Sequence, residues 1–352
     1  MSTISRIANA KKYYDGVMLL ERMAELHTPA VSIAVIENYE ISETCVYGVK
    51  KKTSEEAITL DTLFQAGSIS KAVFAVGVIR LTEQGILDID VDISKYLADL
   101  EIPTYDNQKH KITLRQILSH QAGFNLHGFA GYQQGQEIPT VEQILTGASP
   151  ANNLKLKLIK TPETGYQYSG GGYILAQKIV SDVCKQELPD LMEEIVLSPL
   201  SMTNSTFAQP LPEELLSEIA VGYSIHDLEL PGGYNIMPEL SAAGLWTTPS
   251  DLARLGIEIM KALKGESVFI KKETAGLMTT KVYENSPYGV GFEVNQCKKG
   301  STFGHGGSNF GYHSNMIFCP QDGSGIVVMQ NSDIGMGISK EITNAFKEVC
   351  GW

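Results

Sequence analysis

The sequence predicts an α/β protein of the α+β type, with an antiparallel sheet flanked by helices and a mostly helical unit inserted into it. Three observations lead there. Short β-branched runs separated by turn residues fill the chain to about Gln65; helical spacing dominates from Ser68 to about Val183; strand-like runs return from about Tyr288 and close in an amphipathic segment. A chain of 352 residues suits one large domain or two interleaved ones, and 43% hydrophobic against 19% charged residues supplies ample core. The expected division gives residues 1–67 and 184–352 to a sheet domain built from both chain ends, and 68–183 to the helical insert.

In order along the chain, "VSIAVIEN" and "CVYGVK" read as the two strands of a hairpin. "SKAVFAVGVIRLTEQG" is apolar on every side and ends in Gly85, which predicts a buried central helix with a glycine at its C-terminus. "ITLRQILSHQAG" and "YILAQKIVSDVC" carry apolar residues at three- and four-residue spacing, as helices do. The Gly- and Pro-containing stretches "PLPEELLSE" and "ELPGGYNIMPEL" are expected to border a cleft. "YGVGFEV", "STFGHGG", "HSNMIFCP" and "GIVVMQNSD" read as strands, and Ile338, Ile342, Phe346 and Val349 fall on one face of a final helix. No internal repeat or low-complexity tract interrupts this plan.

Composition narrows the function classes. Lys plus Arg number 28 against 40 Asp plus Glu, a formal charge of -12. That balance argues against a nucleic-acid partner, whose phosphates are held by clustered cations. The five cysteines form no CxxC pair and are expected to be reduced thiols. No apolar run approaches membrane-span length, and "MSTISRIANAKKYYDG" lacks the apolar stretch of a signal peptide. A soluble, cytoplasmic protein is the expectation, although a trimmed chain would look the same.

The chemistry concentrates at "FQAGSISK". Ser68 and Lys71 are three apart, so on a helix they share a face. Burial and the partial positive charge of a helix N-terminus both favour a lysine that gives up its proton. Such an amine can take the proton of the serine hydroxyl and make it a nucleophile. The bland alternative is that Ser68 caps the helix and Lys71 snorkels to water. "PETGYQYSGGGY" adds Tyr168 before three glycines, and "FGHGGSNFGY" adds His305 before two more, a pattern that marks close approach of a ligand or another backbone.

"FQAGSISK", "YSGGGY" and "HGG", in that order, resemble the penicillin-recognising serine hydrolases: class C β-lactamases, D,D-peptidases, D-aminopeptidases and related esterases. "ITLRQILSHQAGF", "PLSMTNSTF", "AAGLWTTPSDLARL" and "YGVGFEV" extend the resemblance from about Pro29 to about Ser332. It implies a β-lactamase/transpeptidase-like fold with Ser68 as the acylated nucleophile and Lys71 as its base. Tyr168 would share proton transfer, and His305 would stand where many members carry the lysine of K-T-G, polarising the phenol or binding a substrate carboxylate. The amides of Ser68 and Ser308 would form the oxyanion hole, with Gly306, Gly307 and Gly170 lining the substrate.

Two departures stand out. The second motif is usually Y-x-N, and here it is Tyr168-Ser169-Gly170, with Gln65 or Ser169 as the neighbouring polar groups that could substitute for the amide. Glu163 occupies a usual glycine position and is expected to alter a turn only. His120 aligns with a family histidine that looks structural. No metal or organic cofactor is expected: His305 and His313 lack further ligands, and Asp88, Asp90 and Asp92 lack the glycine and closing glutamate of a calcium loop.

The function implied is a metal-independent serine hydrolase forming an acyl-enzyme at Ser68, with an esterase or D-amino-acid peptidase favoured. Alternatives are a true β-lactamase, a D,D-carboxypeptidase, or a non-catalytic penicillin-binding or regulatory relative. Its partner is a small-molecule or short-peptide substrate; the sequence sets no oligomeric state.

Overall fold

Alternation along the strands decides which side of the sheet each element covers. In a computed structural model describing residues 1–97 and 102–352, α1 (Thr3–Ala8) and α2 (Leu19–Glu25) lead into a hairpin of β1 (Ala30–Glu37) and β2 (Glu40–Gly48). Its two-residue turn, Asn38-Tyr39, holds both residues at positive φ, matching the twist of the flanking strands. The short β3 (Phe64–Gln65) ends just before the central α3 (Ile69–Glu83), and Gly85 follows that helix at φ +74°.

Helices α4 (Leu114–Leu118), α5 (Val141–Thr146), α6 (Gly170–Cys184) and α7 (Leu188–Met192) come next. They are followed by α8 (Leu240–Ala243), β4 (Trp246–Thr247), α9 (Pro249–Lys264) and α10 (Lys272–Thr279). The chain closes with β5 (Glu293–Cys297), β6 (Gly300–Asn309), β7 (Tyr312–Cys319), β8 (Ser324–Gln330) and α11 (Ile338–Val349).

The main sheet runs β2-β1-β8-β7-β6-β5, antiparallel throughout, so its strands come from both ends of the chain. Val31, Ile33 and Val35 point to one face with Ile326 and Val328, where Ile338, Ile342 and Phe346 of α11 cover them. Ala30, Ala34, Met316, Phe318 and Met329 point to the other face, into a larger core shared with α3, α6 and α9. Gly256 of α9 lies against the Phe318 ring, where a Cβ would collide, so the glycine sets how closely that helix approaches.

Two segments differ from the sequence expectation. The helix expected over "ITLRQILSHQAG" stops at Leu118, because His120 and Gly123 adopt left-handed conformations at φ +59° and +82°. "YGVGFEV" becomes strand only at Glu293. Gly291 sits at φ +84° with its amide on the Leu118 carbonyl, and a Cβ there would strike Ala75 of α3. Gly291 thus serves close approach to the central helix, and Gly289 close approach to the Met278 carbonyl of α10, not a strand.

Phe346 is fully buried between α11 and the sheet. Phe346→Ala should therefore cost about 3–5 kcal/mol of unfolding free energy in urea titration. A cost below about 1 kcal/mol would show that this helix does not seal that face of the sheet.

Candidate active site

The central helix begins at the reactive residues. Ser68 is the residue before α3, and its side chain makes no capping hydrogen bond; the neighbouring Ser70 Oγ donates to the Gly67 carbonyl at 2.6 Å. The first turn is tight, with the Lys71 amide on the Ser68 carbonyl at 3.1 Å, so both side chains leave from one side. Lys71 Nζ lies 3.0 Å from Ser68 Oγ and 2.7 Å from the carbonyl of Ala242 in α8. The amine is 1% exposed, and burial pushes its pKa down to about 7. Neither capping by Ser68 nor snorkelling by Lys71 describes this pair.

Two glycines bring β6 against this turn. Gly67, at φ +53°, abuts the Ser308 backbone, and Gly307 abuts the Ala66 carbonyl, with no room for a Cβ at either. The Ser314 hydroxyl on neighbouring β7 clamps the same Ala66 carbonyl at 2.8 Å. Strand β5 pairs with β6 only over Gly300–Gly304, so His305 to Asn309 pair with β7 alone and their other edge faces the start of α3. The backbones of Ser68 and Ser308 are thus held side by side. Among the described residues the Ser68 amide donates to no protein group.

Tyr168 precedes the N-cap of α6, Ser169, whose Oγ accepts the Gly172 amide at 3.0 Å. Burial pushes the phenol up, offset in part by its contact with the Ser68 hydroxyl, and Lys71 Nζ stands 5.2 Å from the centre of its ring. His305 Nδ1 is 2.6 Å from the Gly306 carbonyl; a carbonyl only accepts, so Nδ1 carries the proton and Nε2 presents a lone pair. That Nε2 is buried without a partner among the described residues. Burial, then the nearby Lys71, lower this imidazole to about 4, so it is neutral at neutral pH. A neutral acceptor does not suit the carboxylate-binding role offered as one alternative for His305.

Ser68, Lys71, Tyr168, His305, Gly306, Gly307 and Ser308 all line one cavity of about 710 Å³. Gly170 does not. A Cβ at Gly170 would point at the Phe129 ring (3.0 Å) and the His127 carbonyl (3.1 Å), so the loop through His127 and Phe129 stands where an asparagine side chain would project. Gln65 and Ser169 do not replace that amide. Gln65 is buried between the Asn235 carbonyl and Asn309, and Ser169 is occupied capping α6. The stretches "PLPEELLSE" and "ELPGGYNIMPEL" contribute no lining residue; the first packs beside β3, where the Leu63 amide bonds the Glu218 carbonyl. Glu163 does more than alter a turn: its carboxylate receives Gln116 at 2.7 Å and Tyr283 at 3.0 Å.

Among the lining residues that escaped the sequence reading are His127, Phe129 and Tyr288. His127 lies against the Tyr168 ring at 4.7 Å, and its pKa is lowered by burial and by Lys71. Tyr288, whose phenol burial pushes up, is edge-on to His305 at 5.7 Å. For His127 and Phe129 the signal is the density of aromatics and histidine in "FNLHGFAGY"; Tyr288 stands in "YGVGFEV", which reads as a strand.

The pattern that defines the Beta-lactamase family matches residues 18–344 of this sequence, most of its length. The chain belongs to the Beta-lactamase family. It is 23% identical over 252 residues to "Protein flp" of Staphylococcus aureus (strain MRSA252), covering 70% of this chain and 46% of that one. The chain thus spans about half the length of the curated relatives it matches first. Its fold is similar to the octameric penicillin-binding protein homologue of Pyrococcus abyssi, with a TM-score of 0.79 and 22% identity over 97% of this chain and 78% of that one. It is also similar to the D-amino acid amidase of Ochrobactrum anthropi SV3, with a TM-score of 0.76 and 20% identity over 99% and 97%. Family membership and fold agree with the sequence reading, and a β-lactamase-like scaffold is the frame for the groups described above.

The buried amine makes a pH profile diagnostic. If neutral Lys71 is the base, kcat/KM should rise about tenfold per pH unit below about 7 and level off above it. A flat profile between pH 5 and 9 would remove Lys71 as the titrating base. Gly170→Asn should give no gain in nitrocefin turnover relative to ester turnover, because its side chain starts inside the His127–Phe129 loop. A several-fold gain in that ratio would show that the amide reaches the cavity after all.

Proposed function

We propose that this protein is a serine hydrolase that cleaves an ester or amide bond through an acyl-enzyme on Ser68. The observation that carries the reading is the 3.0 Å approach of Ser68 Oγ to a buried amine whose pKa is lowered to about 7 by burial alone. A lysine so placed is a base at neutral pH.

In the proposed sequence the Ser68 hydroxyl proton passes to Lys71 Nζ as Oγ bonds to the substrate carbonyl carbon. The carbonyl π pair moves onto oxygen, between the amides of Ser68 and Ser308. Tyr168, protonated because burial raises its pKa, gives its proton to the departing oxygen or nitrogen as that bond breaks, and regains one from Lys71. Opposite shifts in a neighbouring amine and phenol divide the base and acid roles. His305 Nε2, a neutral acceptor, receives a hydrogen bond from the phenol or from a donor on the substrate. Water then attacks the ester carbonyl, returns its proton through the same groups and frees the acid.

The acyl side of the cavity is walled by His127, Phe129, Tyr168 and Tyr288, aromatic groups in place of a side-chain amide. That wall supports small esters or D-aminoacyl amides with an apolar or aromatic acyl group over acylamino β-lactams. The family neighbour described as a D-amino acid amidase points the same way.

Side-by-side assays of p-nitrophenyl butyrate, D-alanyl p-nitroanilide and nitrocefin test this directly. Multiple turnovers on the first two, abolished by Ser68→Ala, are expected; Lys71→Ala should slow acylation about 10²–10⁴-fold with an unchanged circular dichroism spectrum. One-to-one labelling of Ser68 by a fluorescent penicillin, with no substrate turned over, would identify a binding protein instead.

A further inference from the structure

We propose that His120 is the positioning residue for Tyr168, holding the phenol at the Ser68 hydroxyl; the inference builds on the proton-transfer role proposed for Tyr168. The loop that carries Tyr168 hangs from the segment after α4. The Glu163 amide bonds the Gln121 carbonyl at 2.8 Å, and Gln116 Nε2 bonds the Glu163 carboxylate at 2.7 Å. Nearer the phenol, beside the bonds of Ser169 Oγ to the Asn125 carbonyl and of the Gly170 amide to the His127 carbonyl, two attachments belong to His120. Its carbonyl accepts the Gln167 amide at 2.9 Å, and its ring Nδ1 accepts the Ser169 amide at 3.1 Å. One residue therefore bonds the 166–167 peptide and the 168–169 peptide, which bracket Tyr168.

With the chain held on both sides of Tyr168, the same imidazole also packs on its ring, alongside His127. The rings of His120 and Tyr168 stack with centroids 4.1 Å apart and planes 32° apart. Tyr288 stands perpendicular to the imidazole at 4.8 Å, and Tyr173 lies at 5.4 Å, so the histidine sits inside an aromatic cage. His120 reaches this place through its left-handed backbone, φ +59°, which turns the chain under the loop instead of extending α4.

The imidazole is 1% exposed and cannot carry a charge there: burial, then Lys71, His305 and His127, all disfavour the imidazolium. With Nδ1 accepting, the proton rests on Nε2, which finds no hydrogen-bond partner among the described residues. An apolar ring would fill the cage without burying that unpaired donor. Histidine supplies an acceptor for the Ser169 amide and a flat face for the phenol from one side chain, and the acceptor is the part that pins the loop.

Two substitutions separate positioning from packing. His120→Gly suits the positive φ and removes acceptor and ring together; His120→Asn also suits that φ and keeps an oxygen close to the place of Nδ1. On p-nitrophenyl butyrate, His120→Gly should lower kcat about a hundredfold with KM changed less than threefold, and His120→Asn should recover at least tenfold of that. The acid limb near pH 7 should stay in place. Equal kcat for His120→Gly and wild type, or a loss confined to KM, would overturn the proposal, as would an asparagine variant no better than glycine.

A readout independent of turnover is the ¹⁹F resonance of 3-fluorotyrosine at Tyr168, assigned by its loss in Tyr168→Phe. It should stay sharp and protein-shifted in His120→Asn and move to the free-tyrosine position in His120→Gly. An unmoved line in His120→Gly would overturn the positioning role. If the wild type turns over no ester, amide or β-lactam, the functional reading fails while this resonance still decides what His120 holds. Should the glycine variant not fold, His120→Asn decides alone: a resonance at the free-tyrosine position despite a retained acceptor overturns the proposal, and a protein-shifted line supports it.

Discussion

An amine buried with no carboxylate beside it is the constraint on which the rest of this site depends. An ammonium in that position would lack both its hydration and a counter-charge, so burial favours the neutral form and pulls the pKa of Lys71 to about 7. The same dry surroundings raise Tyr168, because there the charged form is the phenolate. One physical cause thus moves two neighbours in opposite directions and leaves an acceptor and a donor of protons on either side of Ser68. The Ala242 carbonyl, supplied by α8, orients the amine without adding a net charge.

That burial is made by the fold. α3 is apolar all round because sheet, helices and loops enclose it, and every residue from Ile69 to Ile79 is buried. Its N-terminus would be sealed too if β5 continued along β6. Because the β5 pairing stops at Gly304, the edge from His305 to Ser308 is left facing the nucleophile. Gly67 and Gly307 then allow two backbones to touch where any side chain would hold them apart. The strand is at the right distance because two positions have no Cβ, and the sheet keeps it there through the Ser314–Ala66 contact.

Much of this was legible in the sequence, for reasons that differ by residue. Ile338, Ile342 and Phe346 announce α11 because a 3.6-residue period survives any context. Ser68, Lys71, Tyr168 and His305 stand in short motifs whose order carries the resemblance. Gly170 misled because a motif fixes a position along the chain but not the direction of its Cβ, which here runs into the 127–129 loop. His127 and Phe129 lie on irregular backbone whose place is set by contacts distant in sequence, so no periodicity marks them. "YGVGFEV" read as a strand because its glycines alternate with apolar residues, a pattern that close packing against α10 and α3 also produces. His120 was visible but looked like one more buried ring, since its two bonds to the Tyr168 loop are tertiary.

The charge state of the cavity bears on what it accepts. Glu293, Lys340 and Lys347 line the cavity. His127 and His305 on its wall, and His120 behind it, all have their protonated forms disfavoured, with Lys71 contributing to each, so the wall beside Ser68 offers neutral imidazoles next to the Lys71 amine. A substrate carboxylate brought within a few ångströms of that amine would favour the ammonium, shifting its pKa upward by about 1–3 units, and would disable the base the proposed mechanism requires. An uncharged acyl group leaves the amine free until it takes the serine proton. At that moment an ammonium and an oxyanion form together in a dry cavity, where their attraction is strongest. The proposed preference for neutral, apolar acyl groups therefore follows from the same burial that makes Lys71 a base.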